Sequence, residues 1–174
     1  MDKKILNLGC GTDIKKGCVN LDIAKLPGVD VVWNIEKTPY PFKDNTFDEI
    51  ICSHVLEHVS DLIKVMEELW RISKPGAKII ITVPHFSGYY AFVDPTHKRF
   101  FTYGTFDYFT GVGLGEYYTQ ARFKITKKRI EDDKYLRFLN PLVNLFPRLY
   151  TRFLAFTIPM TILKFELRTI KPRI

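Results

Sequence analysis

Short apolar runs, each closed by glycine, proline or an Asp-Asn pair, constrain this chain more than any other feature. Ile5-Leu6-Asn7-Leu8 runs into Gly9-Cys10-Gly11, which reads as a buried strand ending in a tight loop. Residues 18–22 and 29–33 read as a second and a third strand. Thr38-Pro39-Tyr40-Pro41 has to be loop, because two prolines forbid a central strand or a helix interior. After the turn signal Asp44-Asn45, residues 47–52 form a fourth strand. Ser60 or Asp61 caps a helix in which Leu62, Val65, Met66, Leu69 and Ile72 recur at helical spacing, and Lys74-Pro75-Gly76 stops it. Residues 78–83, rich in isoleucine and ended by Pro84, make the fifth strand. Strands that are apolar on both faces and alternate with a helix belong in a mainly parallel sheet, so the expected fold is a doubly wound α/β domain.

Beyond residue 84 the pattern loosens. Residues 84–104 read as a long loop rich in aromatics and histidine, and Thr102 or Thr105 caps a short helix through Phe109. Gly111, Gly113 and Gly115 then break the chain. Residues 122–130 and 161–170 read as a sixth and a seventh strand. Residues 135–159 carry Leu, Phe and Tyr punctuated by Pro141, Pro147 and Pro159, which reads as short helices. The expectation is one domain over 1–174, with 135–159 a helical insertion between the last two strands; the length of 174 residues agrees with that.

The cysteines Cys10, Cys18 and Cys52 are odd in number and have no C-x-x-C spacing, which argues against a disulfide framework or a zinc knuckle and for a reducing compartment. Met1-Asp2-Lys3-Lys4 leads straight into an apolar strand without the signal-peptide pattern, so a cytoplasmic location is expected. The net charge of +7 is unevenly placed. Residues 1–120 carry 13 Lys/Arg and 15 Asp/Glu, whereas residues 121–174 carry 13 and 4. The basic character belongs to the C-terminal third, which is suited to nucleic acid, phospholipid or a phosphorylated substrate, or is simply a solvated basic surface.

In an open parallel sheet, ligands bind beyond the carboxyl ends of the strands. Gly9-Cys10-Gly11, Asp22-Ile23, Asn34-Ile35 and Ser53-His54 all fall there. Glycines after the first strand let the backbone approach a ligand closely. A carboxylate ending the second strand can accept two hydrogen bonds from a ribose diol, Asn34 can read a purine edge, and Ser53 and His54 border the reacting end. The dinucleotide fingerprint requires glycine at position 14, where this chain has Ile14, and an acidic residue farther on than Asp22. A Walker loop is absent as well.

The stretch Leu6-Asn7-Leu8-Gly9-Cys10-Gly11-Thr12 resembles the first motif of class I S-adenosylmethionine-dependent methyltransferases. So do Pro41-Phe42-Lys43-Asp44-Asn45-Thr46-Phe47-Asp48, Ser53-His54-Val55-Leu56-Glu57-His58-Val59 and Leu69-Trp70-Arg71-Ile72-Ser73-Lys74-Pro75-Gly76-Ala77. The similarity covers roughly residues 4–84 and is closest to the small-molecule branch called type 11. It implies a Rossmann-like seven-stranded fold, S-adenosyl-L-methionine as cofactor, and cofactor contacts at Gly9, Gly11, Asp22, Asn34 and the Ser53-His54 segment, with Asn7, Cys10, Ile23 and Ile35 completing the expected shell. Two positions depart from the family. Asn7 stands where an acidic residue is frequent, keeping a carbonyl acceptor for the cofactor's ammonium without the charge, and Asp13 stands where a third glycine is usual. Ten residues separate Gly11 from Asp22, so at most one helical turn fits between the first two strands.

Methyl transfer aligns nucleophile, methyl and sulfur, and often removes a proton from the acceptor, a task histidine suits. All four histidines lie between 54 and 97. His97, in Asp94-Pro95-Thr96-His97-Lys98-Arg99, and then His85 are the candidate bases. His85, Asp94 and His97 are metal-ligating types at irregular loop spacing, so no metal is expected. The chain reads Cys52-Ser53-His54-Val55 where base methylases carry an Asn/Asp-Pro-Pro-Tyr type sequence, and a Pro-Cys nucleophile is absent, which argues against nucleic-acid base methylation. The expected activity is methylation of oxygen or nitrogen in a small molecule, sugar- or lipid-linked. The alternatives are an RNA methyltransferase using the basic third and a non-catalytic cofactor-binding or assembly module.

The intervals after the first two strands are too short for full helices, so one sheet face lacks its usual cover. Residues 135–159 are the expected replacement, with Phe138, Leu142, Leu145, Phe146, Phe153 and Phe156 burying against the sheet or a homodimer partner. Peripheral membrane contact through the same segment is the secondary expectation, because Arg137, Arg148 and Arg152 lie beside the aromatics. The longest uncharged run, 153–163, is 11 residues, far short of a span.

Overall fold

A seven-stranded sheet organises the computed structural model, which describes residues 3–112, 115–132 and 134–172; Gly113 lies outside them. The strands are β1 (Ile5–Leu8), β2 (Cys18–Asp22), β3 (Val31–Val32), β4 (Phe47–Ser53), β5 (Ser73–Pro84), β6 (Arg122–Glu131) and β7 (Ile162–Ile170), in the order β3-β2-β1-β4-β5-β7-β6. β1 to β5 pair in parallel, and β7 runs antiparallel to both β5 and β6. Winding outward in both directions from the β1–β4 pair creates a topological switch point there, where Gly9 and His54 leave adjacent strand ends.

Two boundaries move from their expected places. β3 keeps only Val31 and Val32, because Val29 N–H closes a turn on the Leu26 carbonyl at 3.1 Å. β5 starts at Ser73, directly after the helix α1 (Leu62–Ile72), so Lys74-Pro75-Gly76 form a bulge inside the strand rather than a loop before it. The bulge leaves Gly76 at a φ of +75°. α1 is capped as expected by Asp61, whose Oδ1 accepts from Lys64 N–H at 3.1 Å.

The sheet's faces differ sharply. On one, Leu6, Leu8, Leu21, Ile50, Cys52, Ile79, Ile81, Leu163, Phe165 and Leu167 are fully buried, beneath Val65, Met66, Leu69 and Ile72 of α1 and an aromatic cluster of Phe101, Phe106, Phe109 and Phe123. On the other, the alternate residues Ile51, Ile80 and Thr82 are half-buried and Lys164 and Arg168 are exposed. No helix occurs between β1 and β2 or between β2 and β3 among the described residues. That face is bare, as the short intervals require, but Lys78, Glu166 and Lys127 lace it with ion pairs that water tolerates.

Residues 135–159 therefore do not serve as its cover. After the short helices α2 (Tyr90–Val93) and α3 (Gly115–Tyr118), the chain passes through β6 into a 3₁₀ turn at Arg137–Leu139, α4 (Asn140–Leu145) and further turns to Leu154. The six side chains expected to bury are all exposed, at 60–80%. Val143, Tyr150 and Ala155 bury instead. The Asn144 amide donates to the Ile130 carbonyl at 2.6 Å and accepts from Ile130 N–H at 3.0 Å, pinning the segment to the sheet's rim at the end of β6. Helical phase explains the difference: polar Asn140 and Asn144 share a face of α4 with Val143, so the face that docks is amphipathic and the more apolar one points outward.

Candidate active site

Two adjoining cavities open beyond the carboxyl ends of the central strands. The larger, about 610 Å³, is lined by Gly9, Gly11, Asp22, Ile23, Trp33, Asn34, Ile35 and Glu36 on one side and by His54, Val55, His58, Val59, Thr96 and Lys98 on the other. Gly9 has a φ of +64°, and a Cβ there would lie 2.2 Å from Val55 Cγ2, so only glycine fits. Gly11, at φ +49°, has open space where a Cβ would stand. Asp22 holds the loops in place: Oδ2 accepts from Gly11 N–H at 2.7 Å and Oδ1 from Ala24 N–H at 2.9 Å. Each carboxylate oxygen keeps a further lone pair for a ligand hydroxyl. Glu36, held below the ordinary carboxylate range by hydrogen bonds from Ser60, lies on the same wall.

The smaller cavity, about 390 Å³, shares His54 and His58 with the first and adds Glu57, Pro84, Tyr90, Val93, Asp94, His97, Thr161 and Ile162. The loop carrying His97 is clamped over it, because Lys98 and Arg99 N–H groups donate to the Glu57 carbonyl at 2.8 and 3.0 Å. His97 Nδ1 lies 3.1 Å from the Ala91 carbonyl, which only accepts, so Nδ1 carries the proton and Nε2 the lone pair in the neutral ring. Thr96 donates its hydroxyl proton to Asp94 at 2.6 Å, so it accepts from His58 Nδ1 at 2.9 Å. His58 Nε2 is then also a lone-pair atom. The two rings stand 4.8 Å apart. Glu57 is 1% exposed; its Oε1 lies 3.2 Å from His54 Nδ1 and its Oε2 finds no hydrogen-bond partner. His54 sits at a φ of +50°, a strained position held by its N–H bond to Thr82. Glu57, His58 and His97 thus bring acceptor atoms together, with His54 Nδ1 donating to Glu57 Oε1.

Of the ten residues expected around the cofactor, seven line the larger cavity: Gly9, Gly11, Asp22, Ile23, Asn34, Ile35 and His54. Asn7, Cys10 and Ser53 do not. Asn7 is 2% exposed, and its amide donates to the Asp13 carbonyl at 2.8 Å and to Asn20 Oδ1 at 3.0 Å, so it braces the first loop from beneath. Cys10 is buried with its N–H on the Leu21 carbonyl, and Ser53 pairs within β4 and β5. His97 reaches the smaller cavity, but His85 lines neither: it is fully buried against Phe86 and Tyr150, and burial lowers its pKa to about 4. Trp33, Glu36, Val59, Thr96 and Lys98 escaped sequence reasoning. The last two come from a loop some 40 residues beyond β4, brought back only by tertiary contacts.

Residues 6–81 match the family described as a methyltransferase domain. The match runs from β1 into β5, the parallel part of the sheet, and covers under half of the chain. Among solved structures, this chain is similar to a SAM-dependent methyltransferase from Archaeoglobus fulgidus, at TM-score 0.58 and 16% identity over 95% of this chain and 86% of that one. It is likewise similar to YcgJ of Bacillus subtilis, at TM-score 0.60 and 14% identity over 99% and 93%. Identities this low speak for the fold. In sequence it is 32% identical over 74 residues to the ubiquinone/menaquinone biosynthesis C-methyltransferase UbiE of Escherichia coli (strain K12 / DH10B), covering 40% of this chain and 30% of that protein. The chain thus matches under a third of the length of these curated relatives. The larger cavity fits the methyltransferase cofactor: glycines permit close approach, Asp22 offers paired acceptors, and Trp33, Ile35 and Val59 give apolar walls.

Proposed function

We propose that this methyltransferase domain transfers a methyl group from S-adenosylmethionine to oxygen or nitrogen of a small, sugar- or lipid-linked acceptor. The observation that carries the reading is the acceptor-only cluster of Glu57, His58 and His97 where the two cavities meet. Bound in the larger cavity, S-adenosylmethionine supplies an electrophilic methyl on a sulfonium. An acceptor O–H or N–H in the smaller cavity hydrogen-bonds to an imidazole Nε2, which takes its proton as the new bond forms. Ala91 and Thr96 hold the two rings in the tautomer that leaves Nε2 free for this, and Asp94, whose carboxyl Thr96 keeps below its ordinary range, favours the imidazolium that results. The aromatic and apolar residues Tyr90, Val93 and Ile162 line the acceptor side and offer it apolar contact.

Transfer of labelled methyl groups from S-adenosylmethionine into cell extracts tests the reading, with the product analysed for the atom methylated. His97→Ala is expected to lower turnover by roughly 10²–10⁴-fold while the melting shift given by S-adenosylmethionine stays. Wild-type turnover in both His97→Ala and His58→Ala would sink it, and a carbon-methylated product would move the acceptor atom. A second reading rests on the same cluster: Glu57, His58 and His97 each present a metal-ligating atom within 4.8 Å of the others, and Glu57 Oε2 lacks a partner, as a divalent-cation site requires. Activity lost on chelation and restored by zinc or manganese would favour it.

A further inference from the structure

Residues 135–159 leave the sheet where β6 ends at Glu131 and rejoin it at Ile162, which pairs with Pro84 at the carboxyl end of β5. The segment thus stands on the same rim as both cavities. Its outward side shows Phe138, Leu142, Leu145, Phe146, Phe153 and Phe156, each at least 60% exposed. The loop before the acceptor cavity adds Tyr89, Tyr90 and Phe92 at 53–72%, and Phe86 of that loop touches Phe156 with ring centroids 5.3 Å apart. So much apolar surface on one rim marks an interaction site.

Charge decides what covers it. Residues 134–159 hold four cations, Lys134, Arg137, Arg148 and Arg152, and no acidic residue. The cations are interleaved with the aromatics: Lys134 stands over Tyr135 at 4.8 Å and Arg152 over Phe153 at 5.6 Å. A second copy docked by a twofold axis would bring this all-positive patch against itself. An anionic bilayer meets both features at once, taking the aromatics at its acyl boundary and the cations among its headgroups. The elements are too short to cross: among the described residues no helix is long and apolar enough to span a membrane. Two recesses fit an anionic amphiphile. One of about 190 Å³ is lined by Leu139, Val143, Leu149 and Ile158 among others, and one of about 560 Å³ sets Arg148 beside Phe146 and Leu149, with Lys128 on its wall paired to Asp107.

We infer that residues 135–159, with the aromatics at 89–92, dock this methyltransferase domain on an anionic lipid surface, and that its acceptor is lipid-borne. The second half rests on the proposed function, since docking presents the acceptor cavity, through Tyr90, Val93 and Ile162, to that surface.

Co-sedimentation with vesicles of phosphatidylcholine alone, and of phosphatidylcholine with 30% phosphatidylglycerol, tests the docking without any acceptor. The protein is expected to bind the anionic vesicles, weakly or not at all the neutral ones, and less as salt rises. Arg148→Glu with Arg152→Glu should weaken binding at least roughly fivefold per residue, and Phe146→Asp with Phe153→Asp should abolish it. Both pairs are exposed, so the melting temperature and its shift with S-adenosylmethionine should persist, which separates lost docking from lost folding. Anionic-vesicle binding unchanged in both variants, no binding at all, or a stable dimer that the Phe variants dissociate would overturn the docking. Transfer of label only to water-soluble products by protein that still binds vesicles would overturn the lipid-borne acceptor. Loss of the S-adenosylmethionine shift with vesicle binding intact would sink the proposed function and leave the docking standing.

Discussion

At the β1–β2 end of the rim, the loops turn polar groups inward, and at the β6–β7 end they turn apolar groups outward. Asn20, Asp22 and Asp30 accept from backbone N–H groups and Asn7 donates to the Asp13 carbonyl and to Asn20, so the loops within residues 9–31 close on themselves through hydrogen bonds. Residues 135–159 use Asn140, Asn144 and Tyr150 to grip β6 and Met160, then expose their largest side chains. The first region satisfies its polar groups within itself. The second satisfies its backbone but leaves its hydrophobic surface for something else. Substitutions in the two should therefore fail in different ways.

Within the two regions, the largest effect is expected at Gly9. Gly9→Ala sets a Cβ 2.2 Å from Val55 Cγ2 and 2.7 Å from its Cβ, on a backbone at φ +64°. Left-handed strain of roughly 1–2 kcal/mol and overpacking of roughly 1–3 kcal/mol add, for a total of about 2–5 kcal/mol. At about 2–4 °C per kcal/mol for a chain this size, a melting drop near 10 °C checks it. Gly11→Ala meets nothing within 4 Å and carries the strain alone, about 1–2 kcal/mol. Equal drops in the two would mean that Val55 moves aside and that the first loop is less rigid than its bonding implies.

Next is a pH effect from His85, buried against Tyr150 of the second region. Its Nδ1 accepts from Ser87 N–H at 3.2 Å, its Nε2 has no partner, and burial lowers its pKa to about 4. Unfolded, the imidazole titrates near 6.5. The unfolded chain therefore binds more protons between these values, and stability contributed by the neutral ring is fully present above pH 6.5 and lost as pH falls through 4. The total is up to about 3 kcal/mol. Melting curves from pH 7.5 to 4 on wild type and His85→Gln check it: the variant should lose less stability across that window. Parallel curves would mean that His85 is reached by water.

Much of this was legible in advance, and the misses have a pattern. The strand-end residues Gly9, Gly11, Asp22, Asn34 and His54 were readable because a parallel sheet puts sequence-local strand ends on one rim. Asn7 was misread because position along the strand does not tell which face a side chain takes, and the Asn20 and Asp13 partners that decide it lie across β2. His85 and His97 looked alike in sequence. Only the fold shows that Pro84 turns His85 under Tyr150 while the Lys98 and Arg99 bonds to Glu57 bring His97 over the cavity. The insertion departs from expectation for the opposite reason: its apolar residues suggest cover for a sheet face on which Lys78, Lys127 and Glu166 form ion pairs that need none.

A smaller effect is expected at Asp22, which joins the two first loops. Asp22→Ala removes the acceptor for Gly11 and Ala24 N–H groups, at about 1–2 kcal/mol of stability for partly exposed bonds. The sharper readout is ligand binding: the melting shift given by S-adenosylmethionine should largely vanish, because both the ribose acceptor and the glycine-loop shape are lost. Asp22→Asn keeps acceptor capacity on one oxygen and should retain part of the shift. A full shift in Asp22→Ala would place the ribose elsewhere, with Glu36 the next carboxylate on that wall.

The smallest effect is the one that most directly separates the two regions. Phe106 is 0% exposed, packed against Phe165 at 4.8 Å and Phe101 at 5.7 Å, and Phe106→Ala should cost about 3–5 kcal/mol. Phe138, 75% exposed, and Phe153, 65% exposed, are the same residue type, and most of their surface already meets water in the folded chain. Folding gains little by placing them there, so Phe138→Ser and Phe153→Ser should stay within about 0.5 kcal/mol of wild type, a melting change of no more than about 2 °C. Both should raise solubility, because they remove apolar surface that can associate, at the cost only of the exposed Arg152–Phe153 contact. A drop of several degrees in either variant would show that the segment buries these rings in solution. The outward face would then belong to the core, and the contrast between the two ends of the rim would be one of sequence alone.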